Sequence, residues 1–209
     1  MKNILFIVLS VFLIMETFCQ SNDKSFYATA QVAMLMGSRQ ISELTPSLSV
    51  TRFEMQVAPS ITLTAGHIFN EHWAAGAGAG FEMFDHHQFP VFADVRYTLW
   101  NAGASPFFAL KTGYSFGNFK KKEYDHLNLA HDPYHVTGVQ FRNYGGWMLH
   151  PEMGVKLPLG EKADVLFTVA YRFQRSKSTI YRSDGMLYDE WKQKGSIYRL
   201  SFGIAAMFR

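Results

Sequence analysis

The sequence holds one cysteine, Cys19, and it lies so near the N-terminus that the remaining chain has no disulfide available to it. A small fold stapled by cystine bridges is excluded. Charge is sparse as well: Asp, Glu, Lys and Arg make up 18% of the 209 residues, and the formal net charge is +3. The basic run Lys120 to Lys122 reads as a solvated loop, so no nucleic-acid partner is expected. Beyond residue 20 no apolar run is long enough to cross a bilayer as a helix, which takes ~20 residues. What is abundant is aromatic side chain, at 16% with 19 Phe and 10 Tyr. That composition suits strands or a membrane interface better than a helical bundle. The length accommodates one domain with a full core, or one barrel.

The first residues read as an export signal. Lys2 supplies a positive start, Ile4 to Met15 is apolar apart from Ser10, and Glu16 ends the run. Cleavage is expected within "FCQS", after Cys19 or Gln20, leaving residues 1–20 as signal peptide and 21–209 as the mature domain. Acylation of Cys19 is disfavoured by Phe18, because that processing prefers a small residue before the cysteine.

The mature chain divides into eight segments of alternating character separated by turn-rich stretches. They run from about Phe26 to Gly37, Arg52 to Phe69, Trp73 to Met83, Pro90 to Trp100, Pro106 to Asn118, Tyr144 to Leu157, Asp164 to Ser178 and Gly195 to Phe208. Connections after the second, fourth and sixth segments are short. Those after the first, third, fifth and seventh are mostly longer, including a polar stretch to Thr51, an insertion from Phe119 to Asn143 and another polar stretch from Thr179 to Lys194. Short turns at one end and long loops at the other mark an all-β, eight-stranded antiparallel up-and-down transmembrane β-barrel.

The two faces of each segment then decide which side is wet. In "FADVRYTLW", Asp94 and Arg96 share one face while Val95, Tyr97 and Leu99 share the other. Val165, Phe167, Val169, Tyr171 and Phe173 oppose Leu166, Thr168, Ala170, Arg172 and Gln174; the fifth, sixth and eighth segments behave alike. The second face mixes small residues with a few charges and is too poor in Lys, Glu and Asn for a solvent surface. It suits a narrow lumen that side chains just fill, with the bulky face toward lipid rather than inside a soluble barrel. Phe69, Trp73, Trp100 and Phe107 are expected to form one interfacial girdle. Phe84, Phe89, Phe116, Tyr144 and Trp147 are expected near the other rim.

The stretches "PSITLTAGHIFN", "PVFADVRYTL", "SPFFALKTGYSFG" and the closing "YRLSFGIAAMF" resemble the small outer-membrane barrels of OmpX/OmpA-barrel type, in particular the Bacteroidetes-type outer-membrane β-barrel family. The likeness covers nearly the whole mature chain. It implies the outer membrane of a Gram-negative bacterium, contact with its lipids, and a terminal aromatic read by the barrel-assembly machinery during insertion. Here Phe208 is penultimate and Arg209 last, a departure from that terminal pattern. A monomer without cofactor is expected.

Candidate site residues fall in two groups. The inward charges are Glu82, Asp94, Arg96, Lys111, Glu152, Lys156, Arg172 and Arg199. Unpaired charge in a shielded lumen is costly, so an interlocking network is expected, with Asp94 reaching Lys111 and Glu152 meeting Arg172. The repeat "GAGAG" (Gly76 to Gly80) lacks the helix that a dinucleotide loop requires and reads as a small strand face, with Gly78 beside Arg96 and Gly80 beside Asp94 to within a register step. His86, His87, His126, His131 and His135, with Asp85, Asp125 and Asp132 nearby, are weak metal candidates whose spacing matches no tight ligand motif. No catalytic residue is assigned: no nucleophile elbow is visible, and the sequence marks no catalytic partner for the loop serines Ser176, Ser178 and Ser183. The expected role is a non-enzymatic outer-membrane protein presenting extracellular loops and supporting envelope integrity or surface interaction. The alternatives are a narrow, porin-like solute channel, with an anion preference because basic lumen residues outnumber acidic ones, and a rim enzyme acting on lipid or peptide.

Overall fold

The computed structural model describes residues 25–45, 48–84, 87–100, 103–117, 122–124, 139–183 and 188–209; side chains are described for 25–37, 55–84, 87–100, 103–117, 144–177 and 195–209. The chain forms β1 (Phe26–Thr45), β2 (Leu48–Ile68), β3 (Trp73–Glu82), β4 (Gln88–Thr98), β5 (Ser105–Gly117), a short β6 (Lys122–Tyr124), β7 (Val139–Pro158), β8 (Ala163–Ser183) and β9 (Tyr188–Phe208). All pairings are antiparallel. The order runs β5-β4-β3-β2-β1-β9-β8-β7, and a β5–β7 pairing closes the eight long strands into a barrel, leaving β6 on the outer end of β7.

The polar stretches expected as long loops after the first and seventh segments are instead mostly strand. β1 and β2 run to Thr45 and from Leu48, and β8 and β9 run to Ser183 and from Tyr188. Hydrophobic alternation cannot reveal such extensions, since a ladder standing clear of the apolar belt is wet on both faces and needs only backbone pairing. The wall is therefore uneven. β3, β4 and β5 have 10, 11 and 13 residues, close to the ~9–11 that a tilted strand needs to cross a bilayer. β1, β2, β7, β8 and β9 have 20 or 21 and stand well beyond that belt.

Inside and outside follow the alternation. Val32, Ile61, Val95, Leu110, Met153, Val169, Phe202 and Ile204 are exposed on the outer face, whereas Thr29, Gln31, Thr62, Asp94, Arg96, Lys111, Glu152 and Arg172 are buried. Phe69, Trp73 and Trp100 are exposed at the short-turn end, and Phe89, Phe116 and Trp147 toward the other. Two aromatics leave the girdles assigned to them. Phe107 is 1% exposed because it shares the inward parity of Ala109 and Lys111. Phe84, in the connection after β3, turns inward and packs with Leu35 and Ala58.

The β3–β4 register also differs from expectation. Glu82 pairs with Gln88, so Gly76 lies opposite Asp94, Ala74 opposite Arg96, and Gly78 opposite Phe92. The offset arises because β4 starts at Gln88 rather than Pro90, which moves the centre of the hairpin. The small face still makes room: a Cβ on Gly78 would lie 2.7 Å from the Phe92 ring.

A bulge between Asn143 and Gly145 turns β7 where it leaves the barrel. Gly145 has φ 81°, and a side chain there would run into the Ser115 carbonyl. Gly145→Ala is expected to destabilise the barrel by at least ~1–2 kcal/mol, the cost of a left-handed backbone in an L-residue. Urea unfolding in lipid vesicles reads this directly, and an unchanged midpoint would show that the bulge relaxes.

Candidate functional site

The inward residues meet in the lumen at successive levels. Nearest the short turns, Arg209 donates to Asp164 Oδ1 at 2.9 Å. Above it, Arg96 lies between the rings of Tyr27 and Phe107, 5.6 and 5.3 Å from their centroids. Its guanidinium donates to Asp94 Oδ2 at 3.2 Å, and the Tyr27 hydroxyl donates to the same oxygen at 3.2 Å. Residues two apart on a strand share a face, so this pair needs nothing from the turn. Ala74, Ala109, Leu166, Ala205 and Met207 pack around it.

The middle level centres on Gln31 and Glu152. Lys111 Nζ donates to Glu152 Oε2 and to Gln31 Oε1, both at 2.7 Å. The Gln31 amide donates to Glu152 Oε2 at 3.0 Å and to Thr168 Oγ1 at 2.9 Å, and its oxygen accepts from Thr62 at 3.2 Å. One side chain of β1 thus binds groups on β2, β5, β7 and β8. His150 accepts from Arg172 Nε through Nδ1 at 3.0 Å, which places the ring proton on Nε2, 3.7 Å from Glu152 Oε2.

At the outer level the register sets Arg172 directly opposite Arg199. Like charges so placed repel, and Glu82 from β3 enters between them. Its Oε1 accepts from Arg172 and its Oε2 lies 3.6 Å from Arg199. Gln88 accepts from Ser115 and Gln174, each at 3.1 Å, and Phe84 lies over the Arg199 guanidinium with its centroid at 3.6 Å. Glu82 and Asp94 are 0% exposed and Arg172 2%. The lumen is packed at these levels, because a water-filled bore would leave them accessible.

The residues singled out in the sequence meet here in different pairings. Asp94 and Lys111 are register partners, yet Asp94 is held by Arg96 and Tyr27 while Lys111 reaches Glu152. Arg172 meets Glu82 and His150 rather than Glu152. Lys156 is half-buried at the short-turn end, opposite Ser105 and Leu166. Gln31, Gln88, Gln174, Tyr27 and His150 complete the network; a charge census passes over them, and strand parity is the signal that finds them. Ser176 is buried within β8. The side chains of Ser178 and Ser183 lie outside the described residues, as do His86, His126, His131 and His135 with Asp85, Asp125 and Asp132. His87 is exposed with its ring 5.3 Å from that of Phe81. Among the described residues no three His, Cys, Asp or Glu side chains gather as a metal site.

Each carboxylate of the lumen network faces a cation, and the arrangement ties strands across the bore. Its chemistry is bracing.

No protein-family model matches the sequence, and no curated protein matches it. Similarity appears in three dimensions. The outer membrane protein AlkL, solved in lipid bilayers, aligns with TM-score 0.55 at 12% identity, covering 90% of this chain and 92% of that one. The outer membrane protein OprG from Pseudomonas aeruginosa aligns with TM-score 0.52 at 14% identity, covering 88% and 96%. At such identities the likeness concerns the backbone. The chain has the fold of the small eight-stranded outer-membrane β-barrels.

Proposed function

We propose that this is an integral outer-membrane protein of a Gram-negative bacterium, non-enzymatic and non-conducting, whose rigid barrel carries tall outer hairpins as a surface for envelope interaction. The observation carrying this reading is the lumen braced by Arg172–Glu82–Arg199, Lys111–Glu152 and Arg96–Asp94, capped by Phe84. A solute would have to break buried ion pairs to pass, and a buried pair broken without replacement costs ~3–5 kcal/mol. The continuous apolar outer face supports lipid as the surrounding medium. Lipids of that membrane and, during insertion, the barrel-assembly machinery are its partners in this reading; the export signal is taken to be removed.

The test is a planar-bilayer recording on the refolded protein, checked first for heat-dependent migration in detergent gels. A folded barrel with no current steps above baseline is the expected result. Regular anion-selective steps would replace this reading with that of a narrow channel.

A further inference from the structure

Charge is nearly absent from the outer wall. Among the described side chains of the strands, outward positions carry no Asp or Glu, and Arg175 and Lys177 on β8 are their only Arg or Lys. Both are exposed. They continue the outward row Val169, Tyr171, Phe173, and so stand immediately beyond the belt. Phe173 packs against Trp147 and Tyr198, with centroids 6.3 and 5.4 Å away, which makes this an aromatic cluster at the outer end of the wall.

The neighbouring strands offer the two cations no described counter-charge. Lys177 lies opposite Gly145, and Arg175 lies opposite Ser196. In the lumen Arg172 and Arg199 are met by Glu82, whereas no described acidic side chain meets Arg175 or Lys177. A polyanion from outside the protein fits the charge and the depth, since headgroup phosphates lie just beyond the aromatic girdle.

We infer that Arg175 and Lys177 hold the phosphate of a phosphorylated glycolipid in the outer leaflet, with its acyl chains along Phe173, Tyr198 and Trp147. This rests on the outer-membrane reading above. Such a contact would anchor the tall β8–β9 side of the barrel at a fixed depth.

Native mass spectrometry of the refolded protein in detergent, titrated with diphosphoryl lipid A, tests it. The expected result is a discrete lipid adduct that weakens roughly tenfold or more in the double variant Arg175→Gln/Lys177→Gln, and that persists in Lys162→Gln at the short-turn end. Inorganic phosphate should not displace the lipid, and the dephosphorylated glycolipid should bind far more weakly. Equal binding by the double variant, equal binding of the phosphate-free lipid, or displacement by inorganic phosphate would each overturn the inference. If the double variant does not fold, the single variants Arg175→Gln and Lys177→Gln carry the same comparison. Heat-dependent migration of each sample separates the outcomes: a folded barrel without the adduct removes this inference alone, and a chain that never shows the folded band removes the outer-membrane reading with it.

Discussion

Val169→Arg is expected to lower the unfolding free energy in phospholipid vesicles by about 2–4 kcal/mol, the cost of a cation on the lipid face near the bilayer centre. Val169 lies outward midway along the apolar row of β8, opposite Met153 and Phe202 on the neighbouring strands. No hydrogen-bond acceptor is offered to a guanidinium there. Were the outer face in water, the same substitution on an exposed strand position would shift stability by no more than ~0.5 kcal/mol. The experiment therefore tests the medium around the barrel as well as one residue. A matched change at Glu161→Arg, in the exposed turn between β7 and β8, should be nearly neutral. A neutral Val169→Arg in vesicles would contradict the assignment of lipid to the bulky face.

The second large effect concerns the lumen. Glu82→Ala leaves Arg172 and Arg199 facing each other, 2% and 4% exposed, without the carboxylate that lies between them. The expected loss is about 3–5 kcal/mol, the usual consequence of removing one partner from a buried ionic group. Glu82→Gln should recover part of it, because an amide oxygen still accepts one guanidinium hydrogen bond. The double variant Glu82→Met/Arg172→Met is expected to cost clearly less than the two single changes added together, since it leaves one cation stacked on Phe84 instead of two opposed. Urea titrations followed by tryptophan fluorescence give all the required midpoints. Strict additivity would mean that the triad is not energetically coupled.

The face of β4 was legible from sequence because period-two alternation is a property of the strand itself. Asp94 and Arg96 share one face whatever the neighbouring strands do. Their partners were harder to read. Who meets whom in a lumen depends on register, and the β3–β4 register is set by the few residues between Glu82 and Gln88, where no alternation operates. Lys111 shows the same limit. Its cross-strand neighbour Asp94 is as expected, but a flexible four-carbon stem reaches the neighbouring strand's Glu152 as readily. Gln31 was invisible to an argument built on charge, although its parity placed it inside and its two-ended amide suits a hub between a cation and an anion. Phe107 was misplaced for a different reason. Aromatic residues near turns suggest girdles, and here parity overrode that suggestion. The tall hairpins read as loops in the sequence because backbone pairing needs no apolar alternation to mark it.

The β1–β9 seam brings Ala28 against Phe208 and continues to Arg39 against Ile197. Every other junction in the barrel joins strands that are neighbours along the chain or are separated by one excursion. This one cannot begin until β9 has been made. Until it forms, β1 and β9 each present a row of unsatisfied amides and carbonyls, which is a template for pairing with any other chain. Closure over so long a loop is also slow. The order of synthesis thus makes the final zip both the latest step of assembly and the one most exposed to error, and a chain cut short by a single strand would remain an open sheet with two sticky borders.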